Sequence, residues 1–302
     1  NKHLVIAAFS VLFTGMVMAQ KSTIYTHDNV MYNTALELYD KEKFSAAQEK
    51  FEIVFNEIED KKSEVAVNAR YYMALCGLEL FNTDAENLLV EFIHAYPESP
   101  KVKLAYFHLG RYQFRRKKYT KALEWFAKID VYDLSEKEAA EYHFKKGYSY
   151  FMEEDYDKAS ASLFEIKDID TKYTEAAKYY YGHIAYIQKK YETALKSFKQ
   201  LETSTKFSPI VPYYIVQIYH LQEKYDQIIS YAPSLLESAI PKRAPEIARL
   251  LGEAYYNTNQ FDKATPYLER FHKEKPYLVK RPDHYQLGSV SYTHLRAHET
   301  AT

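Results

Sequence analysis

Residues Gly147 to Ala159 read Gly-Tyr-Ser-Tyr-Phe-Met-Glu-Glu-Asp-Tyr-Asp-Lys-Ala, and variants of this stretch recur along nearly the whole chain. Tyr156 follows the small residue Gly147 by nine positions, and Ala159 comes three positions later. So steady a pattern predicts stacked structural repeats. At intervals of 33 to 42 residues before and after Gly147, the same small position is filled by Ala35, Gly77, Gly110, Gly182, Val216, Gly252 and Gly288.

The aromatic and alanine positions of the pattern are nearly as regular as the small position. The second repeat departs from both with Glu86 and Leu89, and the sixth has Ile228 in place of the alanine. The aromatic position otherwise holds Phe44, Tyr119, Tyr156, Tyr191, Tyr225 and Phe261, and the alanine position Ala47, Ala122, Ala159, Ala194 and Ala264.

Glycine usage indicates close packing of helices. The chain has 7 glycines, and all but Gly15 occupy the small position of the pattern. A glycine inside a helix costs about 1 kcal/mol relative to alanine. We therefore expect each small position to let the first helix of a repeat approach the second closely.

These residues resemble the tetratricopeptide repeat family, and the resemblance covers residues 29–288. It implies an all-α fold, namely a right-handed superhelical solenoid of about seven helix-turn-helix repeats plus a truncated eighth. Related two-helix solenoids are the structural alternative. In the family, the first helices of successive repeats line a concave groove where partners bind.

The N-terminal residues 1–19 have the pattern of a signal peptide. A basic start precedes an apolar run from Leu4 to Met18, and Val17-Met18-Ala19 predicts cleavage after Ala19. An uncleaved anchor is the alternative, although this run of 15 residues is shorter than the ~20 that a membrane span needs. No Cys follows the cleavage site, so we do not expect a lipoprotein. Residues 20–28 are predicted to be a polar linker.

The C-terminal residues 289–302 are predicted to be a non-native tail. Val290 to Thr300 resembles a translated reading frame of a sequencing adapter, and the repeat pattern stops just after Gly288. We therefore expect deletion of Ser289 to Thr302 to leave stability nearly unchanged. His294 and His298 are not treated as ligands.

The helices of the repeats can be placed from the periodicity. First helices are predicted at Leu104–Phe114, Glu141–Phe151 and Ala176–Tyr186, and the second helix of the second repeat should end at Tyr96-Pro97. Pro233 and Pro266 fall inside predicted second helices, where we expect kinks or shortening.

The sequence shows no pattern that would support catalysis or metal binding. It has no GxGxxG, GxSxG or HExxH motif, and its histidines lack the spacing of metal ligands. Cys76 is predicted to be a packed thiol. The net charge of -1 argues against nucleic acid, and the basic run Arg115 to Lys118 is interpreted as a solvated turn. We predict no enzyme activity, cofactor or metal.

An unusual number of aromatic residues, 31 Tyr and 17 Phe, suggests a binding surface. Within the first helices, trios at i, i+4 and i+7 share one helical face. The family resemblance implies that this face lines the groove. The alternative is that its tyrosines fill the space between successive first helices. The trios are Phe107, Arg111 and Phe114; Phe144, Tyr148 and Phe151; Tyr179, His183 and Tyr186; and Tyr213, Gln217 and His220.

We therefore expect a non-enzymatic, exported scaffold that binds a protein segment in its aromatic-lined groove, in the bacterial periplasm or in a membrane-associated complex at the outer membrane. The alternatives are the periplasmic sensor portion of a longer signalling protein, and a glycan-binding repeat protein. The sequence leaves its oligomeric state open.

Overall fold

A computed structural model describes residues 30–238 and 243–300, and every regular element in these ranges is a helix. The predicted signal peptide, cleavage site and linker lie outside the described residues. The chain divides into two compact units, residues 1–153 and 154–302.

The first compact unit contains seven α-helices in its described part. They are α1 (30–40), α2 (Phe44–Glu57), α3 (Glu64–Glu79), α4 (Ala85–Ala95), α5 (Lys101–Arg115), α6 (Tyr119–Phe126) and α7 (Glu136–Met152), with a 3-10 turn at Val131–Asp133. α7 begins with a capping box, in which Ser135 and Glu138 satisfy each other's backbone amides.

The second compact unit contains eight α-helices in its described part. They are α8 (Tyr156–Phe164), α9 (Thr174–Ile187), α10 (Tyr191–Lys199), α11 (Val211–Leu221), α12 (Tyr225–Ser238), α13 (Ala244–Asn257), α14 (Phe261–Glu274) and α15 (Arg281–Thr300), with a 3-10 turn at Pro276–Leu278.

These helices confirm the predicted helix-turn-helix repeats. The three predicted first helices lie within α5, α7 and α9, and α4 ends at Ala95, just before Tyr96-Pro97. Neither second helix is shortened at Pro233 or Pro266, and a kink at either proline stays a prediction. α12 and α14 each span 14 residues, whereas α10 spans 9. Ala232 and Leu268 are fully buried beside the prolines, so packing offsets the lost amide hydrogen bond.

Close packing at the glycine positions is also confirmed. A Cβ atom added to Gly182 would lie 2.9 Å from Ser197 Cβ, and one added to Gly252 would lie 2.8 Å from Leu268 Cδ2. Gly288 differs, because nothing lies within 4 Å of an added Cβ. The described chain thus places no second helix against the start of an eighth repeat.

Val216, the departure at the small position, is compensated on the second helix. In other repeats a large residue follows the small one by sixteen positions, as Phe126 follows Gly110 and Phe198 follows Gly182. In the sixth repeat that position is Ala232, and both Val216 and Ala232 are fully buried in one core. Exchanging the large and small residues conserves volume, which cores tolerate well.

The turn inside each repeat uses a left-handed residue that is never glycine. At Lys117, for example, φ is 59°, and the following amide of Lys118 donates to the Gln113 carbonyl at 3.0 Å. This is a Schellman-type helix end, which usually has glycine at the left-handed position. The complete set among the described residues is Glu42, Phe81, Lys117, Glu154, Lys189, Glu223 and Asn259.

Two single residues test predictions about packing. Cys76 is buried, and burial raises the pKa of its thiol to about 12, which confirms a packed thiol. Val290 is fully buried in the core of the second compact unit, and Leu287 packs against that core. Val290 therefore contacts the repeats, because α15 lies against α13 and α14, and this contact argues against an unchanged stability on deletion of the tail.

Candidate functional site

The twelve predicted groove residues are called the first-helix face, and each compact unit carries half of them. Phe107 and Tyr213 are only 1% and 9% exposed. Their rings are buried between helices and offer little surface to a partner, which corrects the prediction for these two. The other ten are partly exposed: Arg111, Phe114, Phe144, Tyr148, Phe151, Tyr179, His183, Tyr186, Gln217 and His220.

An ion-pair cluster joins α5 to α7 on the first-helix face of the first compact unit. Glu141 is 9% exposed, and its Oε1 lies 2.7 Å from Arg111 Nε and 2.8 Å from Lys145 Nζ. Burial lowers the pKa of Lys145, an effect that the carboxylate of Glu141 opposes. A buried carboxylate needs such partners to offset its desolvation, so this cluster fixes the relative position of the two helices.

Aromatic rings surround Tyr148 beside this cluster. Its ring centroid lies 5.6 Å from Phe114, 5.8 Å from Tyr119, 6.2 Å from Phe144 and 6.3 Å from Phe151. Edge-to-face and tilted pairs of this kind each contribute about 0.5–1.5 kcal/mol beyond area burial. Tyr148 therefore helps to pack the successive first helices and also keeps part of its ring accessible.

His108, on the neighbouring position of α5, is a satisfied histidine. Burial lowers its pKa to about 3, with Arg111 acting in the same direction. The neutral ring faces Arg111, with Nδ1 3.2 Å from Nη1. Among the residues that the structure describes, no group of three His, Cys, Asp or Glu side chains could hold a metal ion.

In the second compact unit, Tyr214 is the centre of an aromatic cluster. Its ring centroid lies 5.3 Å from His183, 5.5 Å from Tyr186 and 5.3 Å from Phe198. Tyr179 stacks on Phe207 with 4.8 Å between centroids. Sequence reasoning missed Tyr214, because the i, i+4, i+7 pattern selected its buried neighbour.

A chain of polar contacts continues across α9, α11 and α13. Tyr186 Oη donates to Gln217 Oε1 at 3.2 Å, and Gln217 Nε2 donates to Tyr213 Oη at 2.7 Å. Tyr213 in turn donates to Glu246, and burial followed by this carboxylate raises the pKa of its hydroxyl. The tyrosine hydroxyl therefore stays protonated and holds α11 to α13.

His220 ends this face against a buried carboxylate of α13. Its Nε2 lies 2.5 Å from Glu253 Oε2, and Arg249 pairs with the other oxygen. Burial would raise the pKa of Glu253, but His220 and Arg249 together hold it below its usual range. Arg249 and Glu253 were missed by sequence reasoning, although they occupy the first two columns of the trio pattern in the seventh repeat.

Two clefts of the described structure are lined by no residue of the first-helix face. One of about 710 Å³ lies beside the end of α4 and is lined by Lys62, Asn68, Tyr96, Lys101 and neighbours. Another of about 550 Å³ borders Lys128, Asp130, His143 and Lys146. Neither combines a nucleophile with a base that orients it, which the chemistry of covalent catalysis would need.

The described residues define a helical repeat protein whose successive first helices are fixed by ring and ion-pair contacts within each compact unit. Residues 81–135 match the family model described as Tetratricopeptide repeat. The match covers 55 of the 302 residues, and the repeat pattern and the all-helical fold of the described residues are similar to those of tetratricopeptide repeat proteins.

Solved structures agree on the fold. The C-terminal part of a TPR repeat-containing protein from Cytophaga hutchinsonii is 16% identical, with a TM-score of 0.56, and the match covers 85% of this chain and 99% of that one. Naa15/Naa10 bound to HypK-THB gives a TM-score of 0.58 at 12% identity, covering 87% of this chain and 39% of that one. The apo form of RapI gives a TM-score of 0.51 at 16% identity, and the match covers 86% of this chain and 79% of that one.

At these identities the structural matches establish the fold alone. Comparison with curated protein sequences finds no match. Within the described residues, no helix combines the length and the apolar character needed to cross a membrane.

Proposed function

We propose that this protein is a non-enzymatic scaffold of the bacterial cell envelope that binds a protein segment on its first-helix face. The observation that carries the proposal is that ten residues of this face are partly exposed although, within each compact unit, the helices that carry them are fixed by side-chain contacts. A rigid surface with accessible rings suits binding, because aromatic anchors immobilised before association lose little conformational entropy.

The envelope location rests on the signal-peptide pattern of residues 1–19. It is tested by expressing the chain with its leader in a bacterial host and measuring the intact mass of the exported product. A mature chain beginning at Gln20 supports the proposal. A species that retains Leu4 to Met18 in the membrane favours the anchor instead.

Binding is tested by panning a phage-displayed library of random peptides against the purified protein and titrating the selected peptides. Tyr186→Ala and Phe144→Ala remove accessible rings from the two halves of the face. Because hot-spot aromatic residues contribute about 2 kcal/mol or more, at least one variant should bind its peptides about 30-fold more weakly.

Matched controls are exposed aromatic residues outside the face. Tyr132 is 93% exposed and Tyr277 is 73% exposed, so Tyr132→Ala and Tyr277→Ala should leave affinity unchanged. Equal losses in face and control variants, or no loss in either, would contradict binding on this face.

The same variants distinguish glycan binding from peptide binding. Exposed rings stack on sugars as well as on side chains, so cell-wall saccharides are titrated in parallel with the peptides. Saturable saccharide binding that depends on Tyr186 or Phe144, without peptide binding, would replace the proposed partner class.

A further inference from the structure

Phe81 is exposed in a strained backbone conformation in the turn after α3. Its φ is 58° and its side chain is 55% exposed. The left-handed region is unfavourable for a residue with a side chain, and every other turn residue of this kind in the described ranges is Glu, Lys or Asn. Because the same turn is built with polar residues elsewhere in the described chain, the fold does not require an exposed aromatic ring here.

Arg115 holds this ring in place. Its guanidinium carbon lies 4.7 Å from the centroid of Phe81, and its nitrogens contact Glu79 Oε2 at 2.5 Å and the Leu78 carbonyl at 3.0 Å. These contacts with the end of α3 fix the guanidinium over one face of the ring. The ring is therefore preorganised rather than loosely attached.

Arg116 extends the same arrangement along the end of α5. It lies 5.4 Å above the ring of Tyr112 and donates to the Tyr112 hydroxyl at 3.1 Å. Tyr112 is itself 6.2 Å from Phe81. Aromatic rings and guanidinium groups thus form one ordered layer at the surface of the first compact unit.

Arg115 pairs with Glu79, but the three cations that directly follow it in the chain have no acidic contact among the described residues. Arg116, Lys117 and Lys118 are exposed, and within the described part of the chain no ion pair involves them. Leu80, which precedes Phe81 in the chain, is 39% exposed. We call Leu80, Phe81, Arg115, Arg116, Lys117 and Lys118 the basic edge.

We propose that the basic edge is a second docking surface, which binds an acidic protein segment that carries an apolar side chain. The unpaired cations supply the charge complementarity and Phe81 with Leu80 supplies the apolar contact. No residue of the first-helix face takes part, so this proposal can fail without affecting the proposed function, and the reverse also holds.

Charge and area favour a short peptide over an extended polyanion. The whole chain has a net charge of -1, so a long nucleic acid or an anionic membrane would also meet acidic surface beyond the edge. A short segment responds only to charges within about 8 Å at physiological ionic strength. The two apolar side chains are also little area for insertion into a bilayer.

The test measures fluorescence anisotropy of the purified full chain with a labelled acidic peptide that has a central Leu-Phe pair. The double variant Lys117→Glu and Lys118→Glu should bind about tenfold more weakly or worse, since it turns two attractive charges into repulsive ones. Phe81→Asn should also weaken binding, while Asn tolerates the left-handed conformation.

The matched control is Lys189→Glu with Lys190→Glu, which makes the same charge change at the equivalent turn positions of the fifth repeat. It should change affinity by less than about twofold, because that turn has no exposed aromatic partner. Equal weakening in both double variants, or none in either, overturns the proposal. Binding to vesicles containing phosphatidylserine that depends on Phe81, without binding of the peptide, overturns it as well.

Discussion

The ring of Phe126 occupies the space that a side chain on Gly110 would need. A Cβ atom added to Gly110 would lie 2.5 Å from Phe126 Cδ1, and Phe126 is fully buried between α5 and α6. The low helix propensity of Gly110 is tolerated because a residue without a side chain leaves room for the fully buried ring of Phe126 in the second helix.

Gly110→Ala is therefore expected to destabilise the protein, although alanine is the better helix former. Overpacking costs about 1–3 kcal/mol, which exceeds the gain of about 1 kcal/mol in helix propensity. Gly288→Ala is the control, since it brings the same gain in helix propensity without a steric clash. Urea titration should lower the midpoint for Gly110→Ala alone, and a raised midpoint for both would refute the packing argument.

Lys189→Gly is expected to stabilise the protein by about 0.5–1 kcal/mol. Lys189 has φ of 59°, a conformation that glycine adopts without steric cost, although glycine adds entropy to the unfolded chain. Lys196→Gly is the matched control, because Lys196 is also exposed but lies inside α10. It should cost about 1 kcal/mol. Shifts of the same sign in both variants would contradict this explanation.

The repeats could be predicted from the sequence because small and aromatic residues recur at fixed positions, and each of these positions has the same structural role from one repeat to the next. Gly110, Gly182 and Gly252 approach the second helices as expected, whereas Gly288 does not. The compensation of Val216 by Ala232 was not foreseen, because it requires knowing which positions face each other sixteen residues apart.

The candidate site was predicted less completely. Periodicity placed Tyr213 on the face, but it does not say which neighbouring helix covers a residue, and Glu246 and Arg243 cover this one. Contacts between turns were also missed, although they recur. Gln188 donates to Asp157 and Gln222 donates to Glu192, each reaching back one repeat.

Glu253 should make stability depend on pH in the acidic range. Its folded-state pKa is lowered relative to the ordinary value of about 4.3, so the ionised carboxylate stabilises the fold above that pH. This contribution is lost as the pH falls through the folded-state pKa. Glu253→Gln cannot ionise, so the gap in unfolding free energy between wild type and variant should shrink as the pH is lowered.

Denaturant titrations at neutral and acidic pH measure that gap. Glu274→Gln is the control, since Glu274 forms a half-exposed ion pair with Arg270 of the kind worth about 0–1 kcal/mol. The difference in unfolding free energy between wild type and Glu274→Gln should be small at every pH. A gap for Glu253→Gln that stays constant down to acidic pH would show that the buried cluster does not couple folding to protonation.

Val290→Ala should destabilise the second compact unit by about 1–3 kcal/mol, as expected for truncation of a buried aliphatic side chain. Val290 is fully buried, whereas Tyr285 on the same helix is 74% exposed. Tyr285→Ala should therefore change stability by less than about 0.5 kcal/mol and serves as the control. Deletion of Ser289 to Thr302 should cost at least as much as Val290→Ala, because it removes this side chain together with the C-terminal part of α15. If both Val290→Ala and the deletion leave the urea midpoint unchanged, α15 does not pack in solution, and the adapter-like tail is external to the fold.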